Sequence, residues 1–199
     1  HAIGLAISRD GGETFSRYRK GPILTRPPSE PFIQNSPFVM KIGDLFHMWY
    51  STGLEWVEHE GRMESIYVMT HATSRDGINW QRDGKPCLAT RLEKECQTNP
   101  CLIKLGERYH LWFCYRRGLD FRNADGGYRI GYAWSDDLAQ WHRGDTQGEL
   151  LPSGGEGWDS QMVCYPRVLE TGGKLLMFYS GNHFGQTGFG YAQAKLPKL

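Results

Sequence analysis

Ile3-Gly-Leu-Ala6-Ile-Ser8-Arg-Asp10 returns as Met69-Thr-His-Ala72-Thr-Ser74-Arg-Asp76, again as Ile130-Gly-Tyr-Ala133-Trp-Ser135-Asp-Asp137, and in part as Phe189-Gly-Tyr-Ala192. The spacing is about sixty residues. After each of the first three Asp residues come an aromatic and then an Arg: Phe15 and Arg17, Trp80 and Arg82, Trp141 and Arg143. A second phrase interleaves with the first. It is Pro37-Phe-Val-Met-Lys-Ile-Gly43, Pro100-Cys-Leu-Ile-Lys-Leu-Gly106 and Pro166-Arg-Val-Leu-Glu-Thr-Gly172, with an aromatic twelve residues after each Pro: Trp49, Trp112 and Phe178. A long period built from short strand-like pieces is the signature of a β-propeller, one blade per repeat.

Each repeat reads as four antiparallel strands. The first runs from the Pro and is almost continuously apolar, as suits a strand buried on both faces. A Gly turn leads to the second strand: Leu45 to Ser51, Tyr109 to Tyr115, Leu175 to Ser180. The third carries the Ala-x-Ser phrase and the fourth the aromatic-x-Arg. The predicted organisation is one all-β domain: a half blade over 1–20, blades over 33–90 and 97–150, and a last blade over 160–199 without its fourth strand. That is about three blades, an incomplete propeller with open edges. Open edges expect either pairing with another chain or a further N-terminal segment.

Composition agrees. Hydrophobic residues make up 39%, aromatics 13%, and there are 25 glycines, which suits short strands and tight turns. A net charge of +1 gives no electrostatic case for nucleic acid or an anionic membrane. No transmembrane segment is visible. Cys87, Cys96, Cys101, Cys114 and Cys164 show no metal-site spacing, so free thiols in a reducing compartment, the cytoplasm for preference, are expected. The chain begins at His1, almost inside a strand, and reads as part of a longer protein.

Ser8-Arg-Asp10-Gly-Gly12-Glu-Thr14-Phe15 fits the Asp-box pattern Ser-x-Asp-x-Gly-x-Thr-aromatic. The Asp accepts backbone N–H groups and caps the turn, so Asp10, Asp76 and Asp137 are read as structural. His47 and His110 occupy equivalent positions, but Leu176 replaces them in the third copy, so packing is expected rather than a metal. No metal and no cofactor are expected.

Function should sit at one end of the axis, in the segments leading into the first strands and between strands two and three. These hold Gln34, Asn35, Asn99, Trp158, Gln161, Tyr165, Arg167, Arg116 and His183, besides Trp56, Arg117, Asp120 and Asn182. Aromatic faces with amides and arginines match a carbohydrate, apolar on its faces and hydroxylated at its edges. Glu30, Glu93 and Asp159 each stand seven residues before a blade Pro, and Glu95 stands five before. Asp159, beside Trp158, and Glu95 are the candidate catalytic pair, expected to share one axial pocket with Gln34, Asn35, Trp158, Tyr165 and Arg167. Two carboxyls about 5–10 Å apart serve glycoside hydrolysis.

The Pro-led first strands, the Trp-Tyr-Ser and Phe-Tyr-Ser-Gly second strands, the Ala-x-Ser-x-Asp-Gly third strands, and Gly157-Trp158-Asp159-Ser160 ahead of Tyr165-Pro166 resemble the five-bladed propeller superfamily of glycoside hydrolase families 32, 43, 62, 68 and 130. The resemblance covers essentially the whole chain, as a C-terminal fragment of about three of five blades. It implies a glycan ligand and carboxylate acid–base chemistry. Many family 43 enzymes carry an Asp directly before the Pro of a first strand, or a Glu two before it; here the residues are Ser36, Asn99 and Tyr165, and Asn35, Thr98 and Cys164. That departure keeps a non-catalytic carbohydrate-binding propeller open as an alternative. The Asp-box adds a sialidase-like hydrolase, which would need three converging arginines, and a protein-interaction scaffold is the remaining class.

Overall fold

A computed structural model of the chain describes residues 1–122 and 126–196. The described residues hold thirteen strands: β1 (Ala6–Ile7), β2 (Ser16–Arg17), β3 (Gln34–Ile42), β4 (Leu45–His59), β5 (Arg62–Ser74), β6 (Gln81–Pro86), β7 (Cys96–Leu105), β8 (Arg108–Arg116), β9 (Arg129–Ser135), β10 (His142–Arg143), β11 (Cys164–Thr171), β12 (Lys174–Ser180) and β13 (Phe189–Lys195). They form antiparallel meanders in the order β3-β4-β5-β6, β7-β8-β9-β10 and β11-β12-β13, with β1-β2 as a separate pair. Helix is confined to single turns at Asp145–Gly148 and Asn182–Gly185. Among the described residues no helix is long and apolar enough to cross a membrane. This is the all-β blade architecture that the repeats predict.

The sheets pack face against face. Trp49 and Met69 of the first sheet meet Leu102, Leu111, Phe113 and Ala133 of the second. Cys101, Trp112, Ile130 and Tyr132 of the second meet Val168, Leu175 and Tyr179 of the third. Ile3 and Leu24 bring the β1-β2 pair onto Met48, Tyr50 and Ala72. Each of the Leu, Ile, Val, Met and Phe side chains among them, when fully buried, contributes about 1.5–3 kcal/mol of transfer free energy. The five cysteines are free.

The Asp turns are capped as the pattern requires. Asp76 Oδ1 accepts from the backbone of Ile78 and Asn79, and Asp137 Oδ1 from Ala139 and Gln140. These bonds hold both carboxyls below the usual carboxylate range. The Trp that follows each turn donates its indole N–H to a carbonyl inside it, Trp80 to Gly77 and Trp141 to Leu138.

Two departures from the predicted strands shape the functional end. First strands begin two to four residues before the Pro, not at it. Pairing skips one residue in each: Asn35 faces Ser51 and Phe38 faces Trp49; Thr98 faces Cys114 and Cys101 faces Trp112; Cys164 faces Ser180 and Arg167 faces Phe178. Proline has no N–H for the ladder, and a bulge is how a strand accommodates it. The residue before each Pro takes a left-handed conformation: Ser36 at φ 50, Asn99 at φ 51 and Tyr165 at φ 60. The second departure is the β4–β5 hairpin, paired continuously out to His59 and Arg62 across a Glu60-Gly61 turn. Trp56, expected in a loop, therefore lies within β4, paired with Ser65.

Candidate functional site

The bulged ends of β3, β7 and β11 surround a cavity of about 580 Å³, within the range of small-ligand sites. Ser36, Asn99 and Tyr165 all line it, with Asn35 and Thr98 beside them. The left-handed backbone turns these side chains out of strand alternation, at a cost of about 1–3 kcal/mol for each non-glycine residue. Asn35 Oδ1 is buried on this wall and takes no hydrogen bond among the described residues.

The long hairpin supplies a second side of the wall: Trp56 from β4, and Glu64 and Tyr67 from β5. It is tied to the segment after β8. Arg122 grips the Glu64 carboxylate with both terminal nitrogens. His59 Nε2 lies 2.7 Å from Asp120 Oδ1, and Lys94 donates to Glu55 at 2.7 Å. At the crossing only glycine fits: a Cβ on Gly118 would stand 2.1 Å from the Lys94 carbonyl oxygen and 2.6 Å from Ile66 Cδ1.

Arg116, at the end of β8, is buried in the floor. Its Nε donates to Tyr67 Oη at 3.2 Å, and its Nη1 to the carbonyls of Arg117 at 2.7 Å and Gly118 at 2.9 Å. Its guanidinium carbon lies 3.5 Å from the Phe121 ring centroid. The Tyr67 and Tyr128 hydroxyls hydrogen-bond each other. Burial pushes both phenols up, so both are neutral around neutral pH.

Of the residues singled out from sequence, Asn35, Trp56, Asn99, Tyr165 and Arg116 meet on this wall. The others lie off it. Gln34 is wholly buried and donates to the Glu30 carbonyl. Glu95 is buried, 2.6 Å from Arg143 Nη1, and also accepts from the backbone of Arg91 and Leu92 and from Gln97. Asp159 accepts from Ser153 Oγ at 2.8 Å and Tyr179 Oη at 2.7 Å. Trp158 stacks on Tyr179 at 5.2 Å between centroids. The Gln161 backbone N–H donates to Asn182, Arg167 donates to the carbonyls of Pro100 and Pro166, and His183 sits in the turn after β12.

These carboxylates share one structural position. Glu30 binds Tyr50 Oη and Arg82, Glu95 binds Arg143, and Asp159 binds Tyr179 Oη. The Arg of the aromatic-x-Arg phrase thus ties the outer strand to the loop entering the first. Burial, then the Asp159 bond, pushes the Tyr179 phenol up to about 12. Glu64, Tyr67, Phe121, Arg122 and Tyr128 were not singled out from sequence.

No family model matches the chain. An uncharacterized protein of Mycobacterium tuberculosis, present in two strains, is 33% identical over 195 residues, which is 96% of this chain and 60% of that protein. The chain therefore spans somewhat under two thirds of the length of these relatives. Among solved structures, a glycoside hydrolase superposes with a TM-score of 0.72 at 20% identity, over 98% of this chain and 57% of that one. The β-1,2-mannobiose phosphorylase of Listeria innocua, in complex with β-1,2-mannobiose, superposes with a TM-score of 0.63 at 22% identity, over 98% and 49%. In fold, the chain is a partial β-propeller of the kind seen in these glycoside hydrolase and phosphorylase structures.

Proposed function

We propose that the axial cavity binds a glycan, as the sugar site of a glycoside-cleaving propeller. One observation carries the reading. All three first strands spend backbone strain at the same place, and each spends it to turn a polar side chain, Ser36, Asn99 or Tyr165, into one cavity. Asn35 and Asn99 would meet sugar hydroxyls, and Trp56 or Tyr165 would cover an apolar sugar face. The superposed phosphorylase with its bound disaccharide supports a sugar as the ligand.

Glu64 is the carboxylate on the described wall, and we assign it the acid–base part in cleavage. Glu95 and Asp159, occupied by Arg143 and Tyr179, brace their blades on this reading. Hydrolysis needs two carboxyls. That the described wall offers one, itself paired with Arg122, favours the non-catalytic binding propeller as the second reading. Two arginines line the wall, Arg116 and Arg122, whereas the sialidase alternative needs three.

Titrating the chain with a panel of disaccharides, followed by calorimetry, tests the binding claim. Trp56→Ala or Asn99→Ala should weaken binding at least tenfold; unchanged affinity in both variants would count against this cavity. Release of reducing ends or sugar phosphates, lowered about 10²–10⁴-fold in Glu64→Gln, separates cleavage from binding alone.

A further inference from the structure

We propose that Arg116 receives an oxyanion in the axial cavity, the carboxylate of an acidic sugar or a phosphate. The inference rests on the glycan reading above and specifies the ligand's charge.

Arg116 is 4% exposed, yet no carboxylate lies within ion-pairing distance of it among the described residues. Its partners are two backbone carbonyls and a tyrosine hydroxyl, all uncharged. Its three neighbouring rings, Phe121, Tyr67 and Tyr128, offer π faces but no counter-charge. Arg143, whose side chain is 6% exposed, is treated differently: it pairs with both Glu95 and Asp145, at 2.6 and 2.8 Å. Burial of a guanidinium without an anion is costly, and an anion from outside removes that cost.

The remaining charges on the wall do not supply it. Glu64 is engaged by Arg122. Among the described wall residues Arg116 is therefore a positive charge without a carboxylate, inside low-dielectric walls, an arrangement that concentrates anions. A guanidinium fixed by Nε and Nη1 and stacked on Phe121 is oriented before any ligand arrives, which lowers the entropic cost of a charge-assisted contact. Tyr67 and Tyr128, neutral and adjacent, share one hydroxyl proton between them and leave the other to donate. A carboxylate on a sugar ring satisfies the arginine and leaves the ring hydroxyls to Asn35 and Asn99.

The decisive measurement uses the unaltered chain. Digalacturonic acid, its methyl ester and inorganic phosphate are titrated by calorimetry at low salt. The ester keeps the shape and removes the charge. Binding of the acid at least tenfold tighter than the ester, weakened by added salt, supports a sugar carboxylate. Phosphate binding with no preference for acid over ester supports the oxyanion site and assigns its source to free phosphate. Arg116→Gln should abolish either preference, while Arg117→Gln, off the cavity wall, should retain it. If acid and ester bind equally and phosphate does not bind, the inference is overturned and the glycan reading stands. If no sugar and no phosphate binds, both fall.

Discussion

Glu95 shows what a residue's neighbours in sequence conceal. Its distance from Pro100 places it at the mouth of a first strand, where a catalytic carboxylate is sought. The partner that engages its carboxylate, Arg143, stands 48 residues on, at the end of another strand. Both halves of the pair were visible in the repeat, but their meeting depends on how the outer strand crosses the blade. Asn99 and Arg116 were legible because position alone decides them: one precedes a bulged Pro, the other ends a second strand. Glu95 is wholly buried and its pair with Arg143 is desolvated on both sides. Glu95→Gln should cost about 1–3 kcal/mol, read as a lower urea midpoint, because Arg143 loses one of its two carboxylate partners and keeps Asp145. Glycan binding by the variant, measured where it remains folded, should be unchanged. A loss of binding without a loss of stability would return Glu95 to the site.

At the scale of elements, the Pro-led strands were legible and their bulges were not, although a Pro three places into a strand was the clue. Ser36 pays for its left-handed backbone. Ser36→Gly should therefore raise stability by up to about 1 kcal/mol while weakening sugar binding, the two read by urea denaturation and titration. A simultaneous loss of stability would mean that the hydroxyl, not the strain, dominates there. Across β4, β5 and β6 runs a chain of hydrogen bonds: His47 Nδ1 lies 3.0 Å from His71 Nε2, and His71 Nδ1 2.8 Å from Asp83 Oδ2. Burial, then the neighbouring His71, pushes His47 below the usual histidine range; burial likewise lowers His110. Both groups bind protons less readily when folded than when unfolded. Their contribution is complete above the unfolded value, about 6.5, and is lost as pH falls below it. The urea midpoint should drop between pH 7 and 5.5, and less steeply in His47→Gln/His110→Gln. His59, raised by its bond to Asp120, has the opposite sign but lies at the surface, where the effect is screened.

For the whole molecule, the repeat count announced both the blades and an open side. Along β13 that side carries Phe189 at 80% exposure and Tyr191 at 62%, and among the described residues no strand pairs with β13 beyond β12. An unpaired, aromatic edge is a template for a further strand. The isolated chain should self-associate as its concentration rises, visible in light scattering, and Tyr191→Lys should suppress this by placing a charge on the edge. Scattering that stays monomeric at high concentration would show the edge to be protected. What the sequence did not reveal at this scale is the cavity wall, which is assembled from the hairpin of one blade and the connection of the next.

The repeated bulge also bears on how such a protein diversifies. The left-handed turn before each Pro is imposed by the missing N–H and by the ladder on either side, not by the side chain that occupies it. Three positions facing one cavity are thereby uncoupled from folding: the scaffold asks nothing of them but tolerance of one backbone angle. Ser, Asn and Tyr satisfy it here, and the resemblance implies that Asp satisfies it elsewhere. A lineage can therefore exchange hydroxyl, amide, phenol and acid at the axis one copy at a time, passing from catalyst to binder or from one sugar to another while its blades stay as they were.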